Sequence, residues 1–281
     1  MAGTSVGEAL ARGGVALTAT SETPHRDAQV LLADRMGTPR EWLLSHSESL
    51  IPTENELAFA SGLQRLAAGE PLPYVLGWWE FYGRRFTVTL DVLIPRPETE
   101  LLVEKGLLAI DEHPSPRVVV ELGTGSGCVG VTLALERRNL EIIASDISRV
   151  ALAVARANAI RHGVEDRLAL VNADLSAGLP LADCVLLANL PYVASEGIGQ
   201  LLFEPRLATE GGETGLEVIT RLLGQFARRR PTRTTALLEI GAGQGRALVH
   251  LASDLCRPTR IWLDLDLADR DRILGMRFEE G

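Results

Sequence analysis

The strongest pattern of apolar and polar positions lies at residues 118–127. A β-branched run, Val118 to Val120, leads through Glu121 and Leu122 to glycines at positions 123, 125 and 127. The residues that follow, Cys128 to Leu135, are apolar or small. This pattern predicts a buried strand, a tight turn and a helix packed beneath that turn. We expect the backbone N–H groups of the turn and the positive end of the helix dipole to face a ligand.

The alternation of strand and helix continues after this turn. Apolar runs predict strands at 142–145, 168–171 and 184–188, and small apolar residues at helical spacing predict a helix at 148–161. Strands that alternate with helices form a largely parallel sheet, whose ligand sites lie at the carboxyl ends of the strands. We therefore predict an α/β fold with its site at that edge.

The chain before residue 118 has a different pattern. Residues 1–70 predict short helices, one starting at Thr23-Pro24 and two at capping-box patterns that begin with Thr38 and Thr53. Pro71 and Pro73 end the helices, and the aromatic stretch 80–88 predicts a β-hairpin. The expected boundaries are a helical domain at 1–73, a hairpin linker at 74–92 and a ligand-binding domain at 93–281. The helical domain either recognises a partner or only packs.

Acidic residues at the ends of two strands help to decide which ligand binds the turn at 123–127, called the glycine turn below. Gly125, Gly127 and Gly130 also fit the G-x-G-x-x-G fingerprint, which leaves a nicotinamide dinucleotide or a purely structural turn open. Glu121 repels a pyrophosphate but suits an adenosyl ligand that carries a positive charge. Asp146 ends the next strand, where a carboxylate can hold a ribose diol. These features favour S-adenosylmethionine (SAM). The remaining residues expected to contact it are Gly123, Thr124, Gly125, Ser126 and Gly127 in the turn, Asp174 as an adenine acceptor, and Leu175 as an apolar wall.

The tetrapeptide Asn189-Leu190-Pro191-Tyr192 follows the fourth strand of this domain. An amide nitrogen is a poor nucleophile, so methyl transfer to it depends mainly on positioning. The side-chain oxygen of Asn189 and the carbonyl of Leu190 can accept its two N–H groups, Pro191 stiffens the turn, and Tyr192 offers an aromatic face. We predict that these four residues bind substrate and carry the reaction. An ordinary proline turn is the alternative.

Arg96 stands between two prolines, ahead of the predicted helix 101–108. Prolines on both sides restrict its backbone, so the guanidinium can be aimed at a substrate. A rigid linker with a surface arginine is equally compatible with the sequence.

Composition narrows the possible functions. The chain has 281 residues, is 46% hydrophobic and carries a formal charge of −9, which disfavours stable binding to nucleic acid. No apolar run reaches membrane-span length, and the N-terminus has no secretory pattern. The 3 cysteines and 5 histidines are scattered, so neither a disulfide framework nor a metal site is expected. We expect a cytoplasmic protein.

A second segment, Glu239 to Gly245, repeats the E-x-G-x-G-x-G pattern of Glu121 to Gly127. Too little chain follows for another cofactor domain, so we interpret it as a later strand–helix turn. The run Arg228 to Arg230 is expected to complement a helix C-terminus. A G-x-S-x-G elbow is absent, which argues against a serine hydrolase.

These motifs together resemble the HemK/PrmC family, the glutamine-N5 methyltransferases of peptide chain release factors. The similarity covers almost the whole chain and is most specific where several motifs combine. They are Ala68–Leu72, Gly77–Gly83, Pro95–Glu100, the glycine turn, Asp146–Ser148, Asn189–Tyr192, Glu204–Ala208, Gly211-Gly212, Glu239–Gly241 with Gln244, and Arg270–Arg272.

The resemblance implies a class I SAM-dependent methyltransferase fold with a seven-stranded, mostly parallel sheet. It also implies five N-terminal helices and a hairpin linker. Gly123–Gly127, Asp146, Leu175 and Asn189 match the cofactor-contacting positions of the family. The glutamine of a release factor's Gly-Gly-Gln loop is then expected to lie against Asn189–Tyr192.

Four positions depart from the family pattern. Leu190 replaces the first proline of N-P-P-Y and lacks its fixed φ. Thr214 stands where Asp is usual, Ile219 where Tyr is common, and Asp269 where Gly is usual. N-L-P-Y also resembles the motif of ribosomal RNA adenine dimethyltransferases. The alternatives are therefore an N6-adenine methyltransferase acting on RNA or DNA, and a SAM-binding protein without catalysis.

Overall fold

The computed structural model describes residues 3–113, 118–200 and 202–280. Backbone packing divides the chain into two compact units, the first ending at Trp78 and the second beginning at Trp79. Among the described residues, no helix combines the length and apolarity needed to cross a bilayer.

The first unit is helical. Leu31, Leu32 and Phe59 are fully buried in its core. Its elements are α1 (Val6–Ala16), α2 (Pro24–Met36), α3 (Arg40–Ser45), α4 (Thr53–Ala67) and α5 (Leu72–Leu76). The start of α2 at Thr23-Pro24 and its end at left-handed Gly37 confirm the sequence prediction.

The two predicted capping boxes of this unit are wrong. Pro39 and Pro52 occupy the N-cap positions of α3 and α4, and neither helix has a side-chain cap. Because these prolines supply the extended backbone that a cap needs, Thr38 lies one residue too early and Thr53 lies inside its helix. A capping box forms instead at α1, where the side chains of Ser5 and Glu8 each bind the other's backbone N–H.

From Trp78 onward the chain alternates strands and helices. In order these are β1 (Trp78–Phe81), β2 (Arg84–Thr87), α6 (Pro97–Glu112), β3 (Val118–Leu122), α7 (Cys128–Glu136), β4 (Glu141–Asp146), α8 (Arg149–Arg161), β5 (Leu168–Asn172), β6 (Ala182–Asn189), β7 (Val193–Ala194), α9 (Arg206–Thr209), β8 (Glu210–Gly212), α10 (Glu217–Arg229), β9 (Thr232–Glu239), α11 (Gly245–Cys256), β10 (Arg260–Leu265) and β11 (Asp271–Phe278). The predicted hairpin and parallel strands are present, and α6 is longer than expected because Pro97 starts it.

A seven-stranded sheet with the order β10-β11-β9-β6-β3-β4-β5 forms the centre of the second unit. Strands β9, β6, β3, β4 and β5 run parallel, whereas β11 is antiparallel to both of its neighbours. The chain moves outward from β3 to β5 and returns to β6 on the other side of β3. A ligand crevice is expected at such a reversal, beyond the carboxyl ends of the strands.

Both faces of the sheet are covered by helices. Successive residues of β3 show why: Val119 packs with α6 and α7 on one face, whereas Val120 packs with α10 and α11 on the other. Burial on both faces accounts for the continuous apolar runs from which these strands were predicted. The predicted α/β fold with a mostly parallel seven-stranded sheet is confirmed.

Of the departures from the family pattern, Ile219 fits this packing, whereas Asp269 lies in a left-handed turn outside it. Ile219 is fully buried in α10, and Asp269 has a φ of 56° in the turn between β10 and β11, a conformation that glycine adopts without strain. Arg229, in the basic run, donates to the carbonyl of Ser176 and, at 2.5 Å, to that of Leu179. Arg228 and Arg229 lie in the last turn of α10, as expected for charges that complement a helix C-terminus, although the hydrogen bonds of Arg229 go to the segment between β5 and β6.

Candidate active site

A cavity of about 690 Å³ opens at the carboxyl ends of the parallel strands. Its volume lies in the range of pockets that enclose small-molecule ligands. Most of the predicted site residues line it: Arg96, Glu121, Gly123, Thr124, Gly125, Ser126, Asp146, Asp174, Leu175, Asn189, Leu190 and Pro191. Gly127 and Tyr192 do not line this cavity.

The glycine turn is held mainly by its own backbone. The N–H of Thr124 donates to the Ser145 carbonyl at 2.9 Å, and that of Gly127 to the Thr124 carbonyl at 2.8 Å. The Gly125 N–H donates to Asp146 Oδ2 at 2.9 Å. The expectation that these amides face a ligand is therefore wrong for three of them, because the turn uses them to fix its shape.

Gly123 and Gly125 serve different purposes in the turn. A Cβ on Gly123 would lie 3.1 Å from the Asn189 carbonyl oxygen and 3.2 Å from Leu190 Cδ2. Glycine at 123 thus brings the turn into contact with the Asn189–Tyr192 tetrapeptide. A Cβ on Gly125 would enter open space at a φ of 53°, so this glycine leaves room beside the backbone for a ligand.

Gly127 supports the turn from behind. It is the left-handed N-cap of α7, and a Cβ there would lie 3.1 Å from the Ala155 Cα in α8. Asn158, also in α8, is fully buried and donates to the carbonyl of Ser126 at 2.8 Å. Helix α8 therefore fixes the turn through a glycine contact and an amide hydrogen bond.

Glu121 is buried beneath the turn. Its Oε2 accepts from the Thr124 hydroxyl at 2.7 Å and from the Gly130 N–H at 3.1 Å. A Cβ on Gly130 would lie 2.5 Å from the same oxygen. Gly130 therefore makes room for Glu121, and the dinucleotide-like spacing of the glycines has a local structural cause.

Burial raises the pKa of Glu121 to about 8, against the lowering effects of its bonds to Thr124 and Gly130. The unfolded chain releases this proton near 4.5, so between pH 4.5 and 8 the native state binds more protons than the unfolded state. The protonated Glu121 carboxyl therefore contributes its full stabilisation of the native state below pH 4.5, and this contribution is lost progressively as the pH rises to 8.

We expect Glu121→Gln to flatten this pH dependence, because glutamine keeps an acceptor and does not titrate. The carboxyl contributes a slope of up to about 1.4 kcal/mol per pH unit. Denaturant unfolding at pH 5, 6, 7 and 8 measures it, with exposed Glu141→Gln as the control. Equal slopes for Glu121→Gln and the unsubstituted chain would contradict this account.

Asp146 ends β4 at the cavity wall. Its Oδ2 accepts from Gly125 and its Oδ1 accepts from the Ser148 N–H at 2.8 Å. Burial raises its pKa, while these backbone hydrogen bonds oppose the rise. Each oxygen keeps a further lone pair for a ligand. The carboxylate therefore fixes the glycine turn and can accept from a diol.

Asp174 and Leu175 follow β5. Asp174 forms an ion pair with Arg221 of α10 at 2.5 Å. Leu175 is buried and has a φ of 56°, which directs the chain around the cavity. Asp174 thus supplies a charged rim to the cavity and Leu175 an apolar wall. Contact of these two residues with an adenine stays a prediction.

The side chain of Asn189 is oriented by Thr99 of α6. Asn189 Nδ2 donates to Thr99 Oγ1 at 3.0 Å, and Thr99 is itself buried. Within the described ranges, no donor binds Asn189 Oδ1 and none binds the Leu190 carbonyl. Two carbonyl acceptors therefore remain at the cavity wall, beside the glycine turn. The side chain of Leu190 packs into the core and only 4% of it is exposed.

Pro191 packs against the backbone at Gly211, and Tyr192 is held by the side chains of Glu239 and Gln244. A Cβ on Gly211 would lie 2.8 Å from the Pro191 carbonyl oxygen. The Tyr192 hydroxyl donates to Glu239 Oε1 at 3.2 Å, and its carbonyl accepts from Gln244 Nε2 at 3.0 Å. The proposal that the ring clamps a planar substrate stays a prediction.

Arg96 is paired with a distant glutamate. Its Nη2 donates to both oxygens of Glu204 at 2.6 and 2.5 Å, and the Glu204 side chain is 4% exposed while that of Arg96 is 37% exposed. The pair joins the Pro95–Glu100 motif to the Glu204–Ala208 motif at one side of the cavity. Contact of Arg96 with a substrate stays a prediction.

We expect Arg96→Ala to destabilise the protein by about 1–3 kcal/mol, because Glu204 is then left buried without its partner. Removing both charges with Arg96→Ala and Glu204→Gln restores part of the loss. Denaturant unfolding of the two variants measures the difference. Equal stability of Arg96→Ala and the unsubstituted chain would show that the pair does not hold this edge.

Several residues of the site were not predicted. Thr99 and Asn158 orient the tetrapeptide and the glycine turn, and Glu204 holds Arg96. A lone asparagine on the apolar face of helix 148–161 was a usable signal for Asn158. Thr99 and Glu204 lie in motifs already noted, but their partners are 90 and 108 residues away.

Two family models match the chain. The model of the PrmC N-terminal domain matches residues 8–77, and that of the methyltransferase small domain matches residues 98–205. The catalytic domain of human METTL16, solved with MAT2A 3′UTR hairpin 1, has a TM-score of 0.59 at 13% identity and covers 84% of this chain and 85% of its own. The N-terminal domain of human METTL16 with SAH has a TM-score of 0.51 at 14% identity, covering 84% and 87%. These two structures confirm the class I methyltransferase fold.

Similar sequences extend over nearly the whole chain. A release factor glutamine methyltransferase of Cereibacter sphaeroides is 40% identical over 258 residues, covering 90% of each chain. That of Bordetella pertussis is 40% identical over 268 residues, covering 92% of this chain and 97% of its own. That of Moorella thermoacetica is 37% identical over 288 residues and covers 98% of each. The chain therefore belongs to the release factor glutamine methyltransferase family.

Proposed function

We infer that this protein transfers a methyl group from SAM to the side-chain amide nitrogen of the glutamine in the Gly-Gly-Gln motif of a peptide chain release factor. The observation that carries this function is the orientation of Asn189. Thr99 holds its amide nitrogen, which leaves its oxygen at the cavity wall as an acceptor for a substrate N–H.

The residues of the cavity fit SAM. Open space beside Gly125 accommodates a ligand close to the backbone, Asp146 offers acceptor lone pairs, and Leu175 provides an apolar wall. Glu121, Thr124 and Ser126 complete the surroundings of the turn. When bound, SAM supplies an electrophilic methyl group on a sulfonium centre.

The tetrapeptide acts on the glutamine amide by positioning it. Asn189 Oδ1 and the Leu190 carbonyl accept its two N–H groups, which directs the nitrogen lone pair toward the methyl donor. A strong base is not required, because the nitrogen becomes acidic once it is methylated and releases its proton to water. Pro191 restricts the backbone between these acceptors and Tyr192.

Methylation of adenine in RNA or DNA is the less favoured alternative. The net charge of −9 does not supply the basic surface that phosphate contacts require. The likeness to RNA-bound METTL16 is at 13% identity and concerns the fold alone. We further propose that residues 1–73 recognise the release factor, that 74–92 link the two units, and that 93–281 bind SAM.

Transfer of isotope from methyl-labelled SAM distinguishes these substrates. The protein is incubated separately with full-length release factor and with an adenine-containing RNA hairpin. Label in the protein substrate at rates well above background is the expected result. If label appeared in the RNA alone, the proposed protein substrate would be wrong and RNA would take its place.

A further inference from the structure

The second glycine segment, Glu239–Gly245, contacts the tetrapeptide directly. Strands β6 and β9 are in register so that Asn189 lies beside Glu239. The segment was predicted only as a strand–helix turn, and it does connect β9 to α11. Its two polar side chains, however, are directed at Tyr192.

Glu239 binds the side-chain end of Tyr192. Its Oε1 accepts from the tyrosine hydroxyl at 3.2 Å, and Glu239 is only 1% exposed. Burial raises its pKa to about 7, while interaction with the Thr99 hydroxyl lowers it. Thr99 also holds Asn189. Glu239 therefore binds the last residue of the tetrapeptide, while Thr99, which lowers the pKa of Glu239, orients the first.

Gln244 binds the backbone end of Tyr192. Its Nε2 donates to the Tyr192 carbonyl at 3.0 Å, while its Oε1 accepts from the Gly241 N–H at 2.8 Å. A Cβ on Gly241 would lie 3.3 Å from Tyr192 Cδ2. The Gly241 N–H thus holds the side chain of Gln244 in place, and Gln244 in this position holds the backbone of the tetrapeptide.

The contacts of Glu239 and Gln244 with Tyr192 matter in this chain because of the leucine at position 190. With leucine at 190, only Pro191 restricts φ within the tetrapeptide, so contacts from outside must hold the two carbonyl acceptors in place. A buried acid is costly to fold and is not needed for a strand–helix turn, which indicates a role at the neighbouring site.

We propose that Glu239 and Gln244 are positioning residues for methyl transfer, which act by fixing Tyr192 and thereby the substrate-binding conformation of Asn189 and Leu190. The proposal rests on the proposed function. It predicts a loss of kcat without a change in SAM affinity, because the residues touch the tetrapeptide and not the glycine turn.

A double-mutant cycle of Glu239→Ala with Tyr192→Phe tests it. Each single change is expected to lower kcat on release factor about 10- to 100-fold, the range for a misplaced reacting group. The double variant is expected to lose no more than the worse single variant, because both remove the same contact. Glu239→Gln keeps an acceptor for the hydroxyl and is expected to retain kcat within about threefold. Exposed Glu165→Ala is the matched control.

Gln244→Ala is a second test variant, in which the buried carboxyl of Glu239 is unchanged. It is expected to lower kcat while the SAM dissociation constant is unchanged. Normal kcat in Glu239→Ala or Gln244→Ala, fully additive losses in the cycle, or a Glu239→Gln variant as slow as Glu239→Ala would overturn the proposal. An unsubstituted protein that does not methylate release factor would instead refute the proposed function.

Discussion

Asn189→Ala is expected to abolish methylation of release factor while SAM binds with nearly unchanged affinity. The substitution removes the oxygen that accepts a substrate N–H, but the contacts of the glycine turn with Asp146 and Ser145 stay intact. Since the reaction depends on positioning, we expect a loss of at least about 100-fold in kcat.

Single-turnover methylation and calorimetric SAM titration measure the two effects separately. Asn139→Ala changes an exposed asparagine at the opposite edge of the sheet; it is the matched control and is expected to retain full activity. A rate for Asn189→Ala close to that of the control would show that the amide-binding mechanism is wrong.

Asp146→Ala is expected to have the complementary phenotype. Loss of hydrogen bonds to a charged acceptor weakens SAM binding by about 1.5–3 kcal/mol, or roughly 10- to 150-fold in dissociation constant. The same change releases the N–H groups of Gly125 and Ser148, so the turn also loses part of its support.

Saturating SAM is expected to restore most of the methylation rate of Asp146→Ala, because the substrate acceptors are unaffected. Asp146→Asn keeps one acceptor oxygen and is expected to bind SAM with intermediate affinity. An unchanged dissociation constant in Asp146→Ala would place the ribose contact on another residue.

The residues at strand ends could be predicted from the sequence because their position follows from one rule. Apolar runs define the parallel strands, and the residues after them meet at the carboxyl edge. Glu121, Asp146 and Asn189 lie at this edge for that reason. The family resemblance added the seven-stranded sheet, which the structure confirms, and the substrate, which the similar sequences support.

The contacts that orient these residues could not be predicted in the same way. Thr99 meets Asn189, and Glu239 meets Tyr192, only after α6 and β9 pack beside β6. Such pairs carry no local spacing signal. Local signals also competed at the helix starts, where Pro39 and Pro52 took the N-cap positions that the neighbouring threonines were expected to occupy.

The central claim is the identity of the methylated atom. Fragmentation mass spectrometry of the Gly-Gly-Gln peptide tests it most directly, after full-length release factor has been incubated with SAM and either this protein or its Asn189→Ala variant. We expect one methyl group on the glutamine side-chain amide nitrogen with the unsubstituted protein and none with the variant. An unmodified glutamine in the presence of intact SAM binding, or a methyl group on another residue, would contradict the account.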